Sequence, residues 1–384
     1  MQTSKLRTES QKNRIQELDG LRGLAILLVM MCHYIGDARV ENVSTATRYF
    51  LRLMSFGWCG VDLFFVLSGF LIGSILLEAK NSPSYYRTFY LRRIYRIFPL
   101  YYLWILLFLI GITVSQFVFA QPWVTRDDYL HIPRYVFFLQ NLFWSKTLVE
   151  FMWFGAMWSL AIEEQFYLCM PLLVRVVSEK TLFRILIAIV LLVPLARLLI
   201  LHSNRMAYLA SFAMPLRADS LGIGVLGALL WRNPDVRVYL QRNPKILNGL
   251  LLSFGIMIGA LFQSFMRPSS YLAKTVGYPV LAFFFLTLVL LVLSQASSKW
   301  AVAARFGPLC WLGTISYCVY IIHEHVLILL SKIFLGSMPR LTDWMSALIT
   351  ILGACLTCML AAISWRWLEN PLIRLGHRHR YYQS

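Results

Sequence analysis

Long apolar runs separated by short polar or basic stretches recur along this chain. They predict spans near 19–37, 58–78, 98–118, 153–173, 183–201, 211–230, 247–265, 275–295, 308–332 and 344–367. Each run approaches the roughly 20 residues an α-helix needs to cross a hydrocarbon core. The expected fold is an all-α, polytopic membrane bundle of about ten transmembrane helices. A single membrane domain would occupy 19–371, between an N-terminal tail (1–18) and a C-terminal tail (372–384). The first run lacks an evident small-residue cleavage site and is read as a retained span.

Polar residues inside these runs break the pattern and carry the chemistry. His33 lies fourteen residues after Asp19, about 21 Å along a helix, within a run that is otherwise membrane-like. A titratable ring at that depth is costly unless the protein pairs or uses it. A buried histidine bonded to a neighbour is its plainest reading, but a neutral imidazole can also take a proton from a hydroxyl near pH 7. Asp19 and Arg22, three apart, share a helix face and can pair, either as a boundary anchor or as part of a site. Glu163 and Glu164 fall inside a span, where adjacent positions diverge by about 100°. At least one of them should therefore face the bundle interior.

Composition agrees with the pattern. The 384 residues are 59% hydrophobic and only 14% charged, against about 25% in soluble domains. The net charge of +18 is not accompanied by a zinc module or compact basic domain, so no nucleic-acid partner is expected. Its distribution reads instead as orientation. Arg87, Arg92, Arg93, Arg96, Arg232, Arg237, Arg242, Lys245, Arg374, Arg378 and Arg380 crowd one set of loops, while Arg39, Arg48, Arg126, Arg134 and Arg267 are spread over the other. The positive-inside rule then puts both termini in the cytoplasm. The seven cysteines sit mostly in apolar runs and form no evident disulfide framework. Cys355 and Cys358 have CxxC spacing but no second ligand pair, and no tetrahedral metal set is evident.

Three further groups stand out. Arg92, Arg93 and Arg96 precede a span on its basic side, with helical spacing that lets them converge on one polyanion; the alternative is a simple orientation anchor. Arg217 and Asp219 enter a span together and are expected to balance one another. His323 shares its run with Tyr317 and Tyr320, and Glu369-Asn-Pro371 is expected to end the last helix, because the residue before proline resists helical geometry. Trp123, Trp144 and Trp153 mark the longest outer segment, 119–152, as suited to the membrane interface or to stacking on sugar.

Taken in order, these motifs resemble the bacterial membrane acyltransferase-3 family. The resemblance rests on Leu18-Asp-Gly-Leu-Arg-Gly with His33, Gly60-Val-Asp-Leu-Phe-Phe-Val-Leu-Ser-Gly-Phe-Leu-Ile72, Arg93-Ile-Tyr-Arg96 before Pro99, and Trp158-Ser-Leu-Ala-Ile-Glu-Glu-Gln-Phe-Tyr167. Arg217-Ala-Asp-Ser-Leu, Ser316-Tyr, His323 and Glu369-Asn-Pro371 complete it, across about 18–371. It implies a ten-helix core, acyl-CoA (usually acetyl-CoA) as donor substrate with no permanently bound cofactor, and a carbohydrate or glycolipid hydroxyl as acceptor. In the resemblance His33 matches the family's essential first-span histidine and Glu163 its fourth-span glutamate, both expected to be catalytic. Arg93 and Arg96 match its paired arginines associated with CoA binding, with Arg92 expected to join them from its helical spacing. Asp19, Arg22, Glu164, Arg217, Asp219, Tyr317 and His323 would form a supporting polar network. The expected form is the stand-alone one, without a fused SGNH-type esterase domain.

Cytosolic acyl-CoA would dock at the basic inner mouth, and His33 would deprotonate the acceptor or form an acyl intermediate. The expected setting is the bacterial inner membrane. The rival class is a secondary transporter or lipid-linked glycan flippase, which also tolerates polar spans and Gly-rich helices but commonly shows an internal repeat that is not evident here.

Overall fold

The computed structural model describes residues 15–38, 44–118, 131–143, 153–202, 207–266 and 270–382. Among them the chain is a helical bundle without a sheet. The principal helices are α1 (Gln16–Met31), α2 (Thr45–Ser55), α3 (Gly60–Glu78), α4 (Tyr85–Val118), α5 (Trp158–Val176) and α6 (Glu179–Leu201). They continue as α7 (Ala218–Arg232), α8 (Pro234–Arg242), α9 (Pro244–Phe265), α10 (Tyr278–Ser294), α11 (Gly307–Leu335), α12 (Trp344–Ser364) and α13 (Asn370–His377).

Every predicted run coincides with helix, and eight helical segments are long and apolar enough to cross a membrane. Two predicted spans fall outside that set. Helix α5 carries Glu163, Glu164 and Arg175 within its 19 residues. Helix α7 has 15 residues, about 22 Å of rise, short of a hydrocarbon core about 30 Å thick. The protein is an all-α polytopic membrane bundle in which these two segments contribute polar and short helices.

Local chemistry explains the boundaries. Ser178 caps α6 by accepting from the Thr181 amide, and Asp343 and Ser346 form a reciprocal capping box at α12. Prolines at 234, 244, 308 and 371 sit in the first turn of their helices, where no amide is needed. Helix α4 begins at Tyr85, so the arginine-rich stretch placed ahead of the span at 98 belongs to the same helix, as its spacing allowed. The last helix also differs from expectation. Glu369-Asn-Pro371 does not end it; a π turn, Trp365–Glu369, joins α12 to α13. The widened turn accommodates the proline ring without terminating the helix.

Burial separates central from peripheral helices. The most apolar windows of Thr45–Glu78 and Ala273–Ser294 are 67% buried, whereas that of Pro244–Phe265 is 11% buried and presents its side chains outward. At the centre, α1 packs along α11 at near backbone contact. A Cβ added at Gly23 would collide with the Leu309 carbonyl, and one at Gly313 with that of Asp19. Small residues at such crossings let helix backbones approach closely within a membrane. This crossing fixes the register of α1 against α11, and with it the two polar clusters that the pair carries.

Candidate active site

Arg22 and His33 are eleven residues apart on α1 and the turn that follows it. Three helical turns place them on nearly one face, about 16 Å apart along the axis. On α11, Tyr317 and His323–Glu324 are separated by about two turns. One end of the helix pair meets α4 and α5; the other carries His33, His323 and Glu324.

At the first end, Arg22, Arg93, Arg96, Glu163, Glu164 and Tyr167 line a cavity of about 90 Å³, with Tyr317 also at its wall. The Tyr167 hydroxyl donates to Glu163 Oε2 at 2.9 Å and sits 2.8 Å from Ser68 Oγ. Arg93 lies over the rings of Phe89 and Tyr167. Its buried Nε has no hydrogen-bond partner, nor has Glu164 Oε1. Tyr317 donates to the Ile97 carbonyl at 2.9 Å, tying α11 to the turn of α4 that carries Arg93 and Arg96. Three guanidiniums facing two carboxylates, with an N–H left over, suit capture of phosphate oxygens. Glu369, buried in the π turn and bonded by Ser364 Oγ at 2.9 Å, adds charge that acts on Arg22 and Arg96. Asp19 acts electrostatically on Arg22, as their spacing predicts.

At the second end, His33 lies in a π turn, Cys32–Gly36, directly after α1. Such turns recur at functional sites because they re-aim a side chain without ending the helix. His33 Nδ1 is 3.1 Å from Asp37 Oδ2, and Nε2 is 3.3 Å from Glu324 Oε1. The His33 side chain is 32% exposed and Glu324 14%, while His323 is fully buried. The rings of His33 and His323 are 5.1 Å apart. Tyr34 braces the cluster, donating to the His323 carbonyl at 2.8 Å and lying 2.9 Å from Thr357 Oγ1. Tyr320, one turn before His323, is held at 2.6 Å from Ser159 Oγ.

The structure therefore gathers most of the sequence-predicted residues, but in two groups. Glu163 belongs to the arginine cavity, and the carboxylate beside His33 is Glu324, which sequence reasoning missed. The available signal was the run His323-Glu324-His325, three ionisable residues within one span. Asp37 was missed as well, although its i,i+4 spacing from His33 favours contact. Arg92 departs from its expected partners. Its Nε and Nη2 donate to the His379 carbonyl at 3.0 and 2.7 Å, and its guanidinium lies 4.9 Å from the Tyr381 ring. It straps the C-terminal segment to α4 and does not line the cavity.

Arg217 and Asp219 act on one another electrostatically, but each takes its close ion-pair partner from another helix. Arg217 reaches Asp62 of α3 at 2.5 Å, and Asp219 receives Arg197 of α6 at 2.5 and 3.0 Å. Residues two apart point to different faces of a helix, so each finds a partner on a different neighbour. All four side chains are buried, and Tyr278 covers both guanidiniums. Of the three tryptophans singled out in the sequence, Trp153 packs against Trp104 and His325, so its ring is occupied by side chains. Trp123, Trp144, Arg39, Arg126 and Arg267 lie outside the described residues.

Comparison with known proteins now bears on this arrangement. A family model described as an acyltransferase domain matches residues 15–366. The chain belongs to the acyltransferase-3 family. It is similar to the peptidoglycan O-acetyltransferase OatA of Listeria monocytogenes, at 26% identity over 96% of this chain and 57% of that protein. YrhL of Bacillus subtilis is 30% identical, over 95% of this chain and 56% of its own length. The O-acetyltransferase OatA of Staphylococcus aureus is 26% identical, over 94% and 57%. The chain thus spans little more than half the length of these relatives. No solved structure matches it. The family does not favour the transporter reading, and it places both clusters within the matched acyltransferase domain.

Proposed function

We propose that this protein is a membrane O-acyltransferase that moves an acyl group, most simply acetyl, from acyl-CoA to a hydroxyl of a cell-envelope or secreted carbohydrate. One observation carries the reading: a basic cavity and a carboxylate-flanked histidine sit at opposite ends of the same α1–α11 pair. The phosphates of CoA suit the cavity formed by Arg22, Arg93 and Arg96. Its thioester arm would run along the helix pair to His33.

There the chemistry needs a base. With Asp37 accepting the Nδ1 proton, Nε2 carries the lone pair. An acceptor hydroxyl arriving at the exposed side of His33 gives its proton to Nε2 as its oxygen attacks the thioester carbonyl. Asp37 and Glu324 stabilise the imidazolium, which returns the proton to the departing CoA thiolate. The products are the carbohydrate ester and CoA. The alternative of an acyl-imidazole uses the same nitrogen as nucleophile.

The names of the relatives point to peptidoglycan as acceptor; O-antigen or exopolysaccharide hydroxyls suit the same chemistry. The asymmetry of Lys and Arg supports cytoplasmic termini and an inner-membrane location, with the donor taken up from the cytosol and the acceptor met at the outer end. Sealed inverted vesicles test this arrangement. Labelled acetyl-CoA supplied outside should acetylate acceptor trapped in the lumen. Transfer confined to acceptor on the donor side would contradict the cross-membrane arrangement, and absence of any transfer to envelope glycan would contradict the activity.

A further inference from the structure

The histidine cluster has more donor atoms than proton abstraction uses. His323 is fully buried, and its Nδ1 is 2.9 Å from the Tyr320 carbonyl and 3.2 Å from that of Val319. Carbonyls only accept, so Nδ1 carries the proton and Nε2 presents a lone pair. That Nε2 has no hydrogen-bond partner and lies 3.9 Å from Glu324 Oε1. Glu324 Oε1 is in turn 3.3 Å from His33 Nε2, and the three atoms all lie within 4.8 Å of one another.

We propose that His33, Glu324 and His323 form a binding site for a divalent transition-metal cation of the zinc type, and that its occupancy removes the His33 lone pair needed for proton abstraction. The donor set is two imidazoles and a carboxylate, which zinc accepts while leaving a fourth position open. Bonds of about 2.0–2.2 Å place tetrahedral neighbours roughly 3.3 Å apart. The His33–Glu324 separation already has that value. The His323–Glu324 separation of 3.9 Å closes by a small rotation of the Glu324 carboxylate toward the fixed His323 ring, and His33, whose partly exposed ring is the freest of the three, follows it.

The outer partners strengthen the assignment. Histidine ligands to metals generally donate their second nitrogen to a carboxylate or a backbone carbonyl, which fixes the tautomer. Here His33 Nδ1 meets Asp37, and His323 Nδ1 meets the Tyr320 carbonyl. Both rings are thus held with Nε2 toward Glu324. Imidazole ligands favour zinc, copper, nickel or cobalt over magnesium and calcium, which prefer all-oxygen sites. Sequence spacing hides the set, because His33 and His323 lie on helices far apart in the chain.

The binding half of this inference stands on geometry alone; the inhibitory half rests on the proposed role of His33. The full-length chain, stripped of metal and titrated with Co²⁺, should bind one ion with the visible d–d absorption of nitrogen and oxygen ligands, displaced by Zn²⁺. Asp37→Asn should weaken binding about 10–100-fold. Glu324→Gln and His323→Gln should weaken it further. Unchanged affinity in all three folded variants would overturn the site. So would a thiolate charge-transfer band lost in Cys32→Ala, because Cys32, His33 and Asp37 form a competing set.

If the ligand variants fail to fold, the unaltered chain still decides. Zn²⁺ should protect His33 from carbethoxylation, read by peptide mass spectrometry, and unprotected modification would overturn the site. Zn²⁺ should also suppress acetyl transfer at the occupancy read by Co²⁺ displacement, with recovery on chelation. Full activity of the zinc-loaded chain would overturn the inhibitory half. A metal-free chain with no transfer would contradict the proposed function, while the Co²⁺ spectrum would still decide the site.

Discussion

The arginine cavity and the histidine cluster share two helices yet are built in different ways. The cavity draws charge from α1, α4 and α5 and encloses it, with Arg93 Nε and Glu164 Oε1 left unpaired. The histidine cluster needs only the π turn after α1 and one turn of α11, and leaves about a third of the His33 side chain exposed. Enclosure by several helices suits holding a polyanion, because desolvation strengthens each charge-assisted bond. A single close imidazole–carboxylate contact with open access suits proton transfer to a hydroxyl that must come and go. On the proposed function, this difference would give binding to one end and chemistry to the other.

Breaking the chemical end should have the largest effect. His33→Ala should lower transfer by about 10²–10⁴-fold, the usual contribution of a general base, while leaving CoA affinity near that of the parent. A product assay together with CoA binding checks both halves. Substitution in the buried ion pairs should act on neither end. Asp62→Ala strands the Arg217 guanidinium and should destabilise the fold by about 3–5 kcal/mol. Thermal unfolding in detergent reads this, with the CoA affinity of the folded fraction unchanged.

At the binding end, Arg96→Ala removes one charge-assisted partner, worth about 1.5–3 kcal/mol, and should weaken CoA binding by roughly 10- to 150-fold. Arg93→Ala should behave alike. Lysine at either position should restore only part of the affinity, since the planar fork is lost. The deficit should be larger at low ionic strength, where attraction is least screened. Arg92→Ala should have the smallest effect on CoA affinity, within a few-fold, because its guanidinium is committed to the His379 carbonyl. Its signature should be faster exchange of the amides around 378–382.

Much of this division was legible in the chain. Apolar runs located the long helices, because a membrane segment must satisfy its own backbone and shows that need as continuous hydrophobicity, while the short polar helices α2, α8 and α13 fell outside them. Arg22, Arg93, Arg96 and Glu163 were singled out because charge inside or beside a span is costly. The start of α4 was hidden by its arginines, which set the expected span boundary near residue 98 although the helix begins at Tyr85. Glu324 was hidden by topology, since nothing in sequence says that the turn carrying His323 lies against the turn carrying His33. The close partners of Arg217 and Asp219, Asp62 and Arg197, were hidden for a similar reason: proximity in sequence does not show which neighbouring helix each residue faces. Tertiary pairing across α1 and α11 therefore decides which carboxylate serves the histidine.

The most direct test of separate binding and chemical ends is a paired measurement of CoA affinity and acetyl transfer on His33→Ala and Arg96→Ala in the same membrane preparation. His33→Ala should bind CoA like the parent and transfer almost nothing. Arg96→Ala should bind CoA weakly and regain most of its transfer rate at saturating donor. If His33→Ala loses CoA binding as severely as Arg96→Ala, or if Arg96→Ala binds normally and fails in transfer, the two clusters do not divide the work and the account is contradicted.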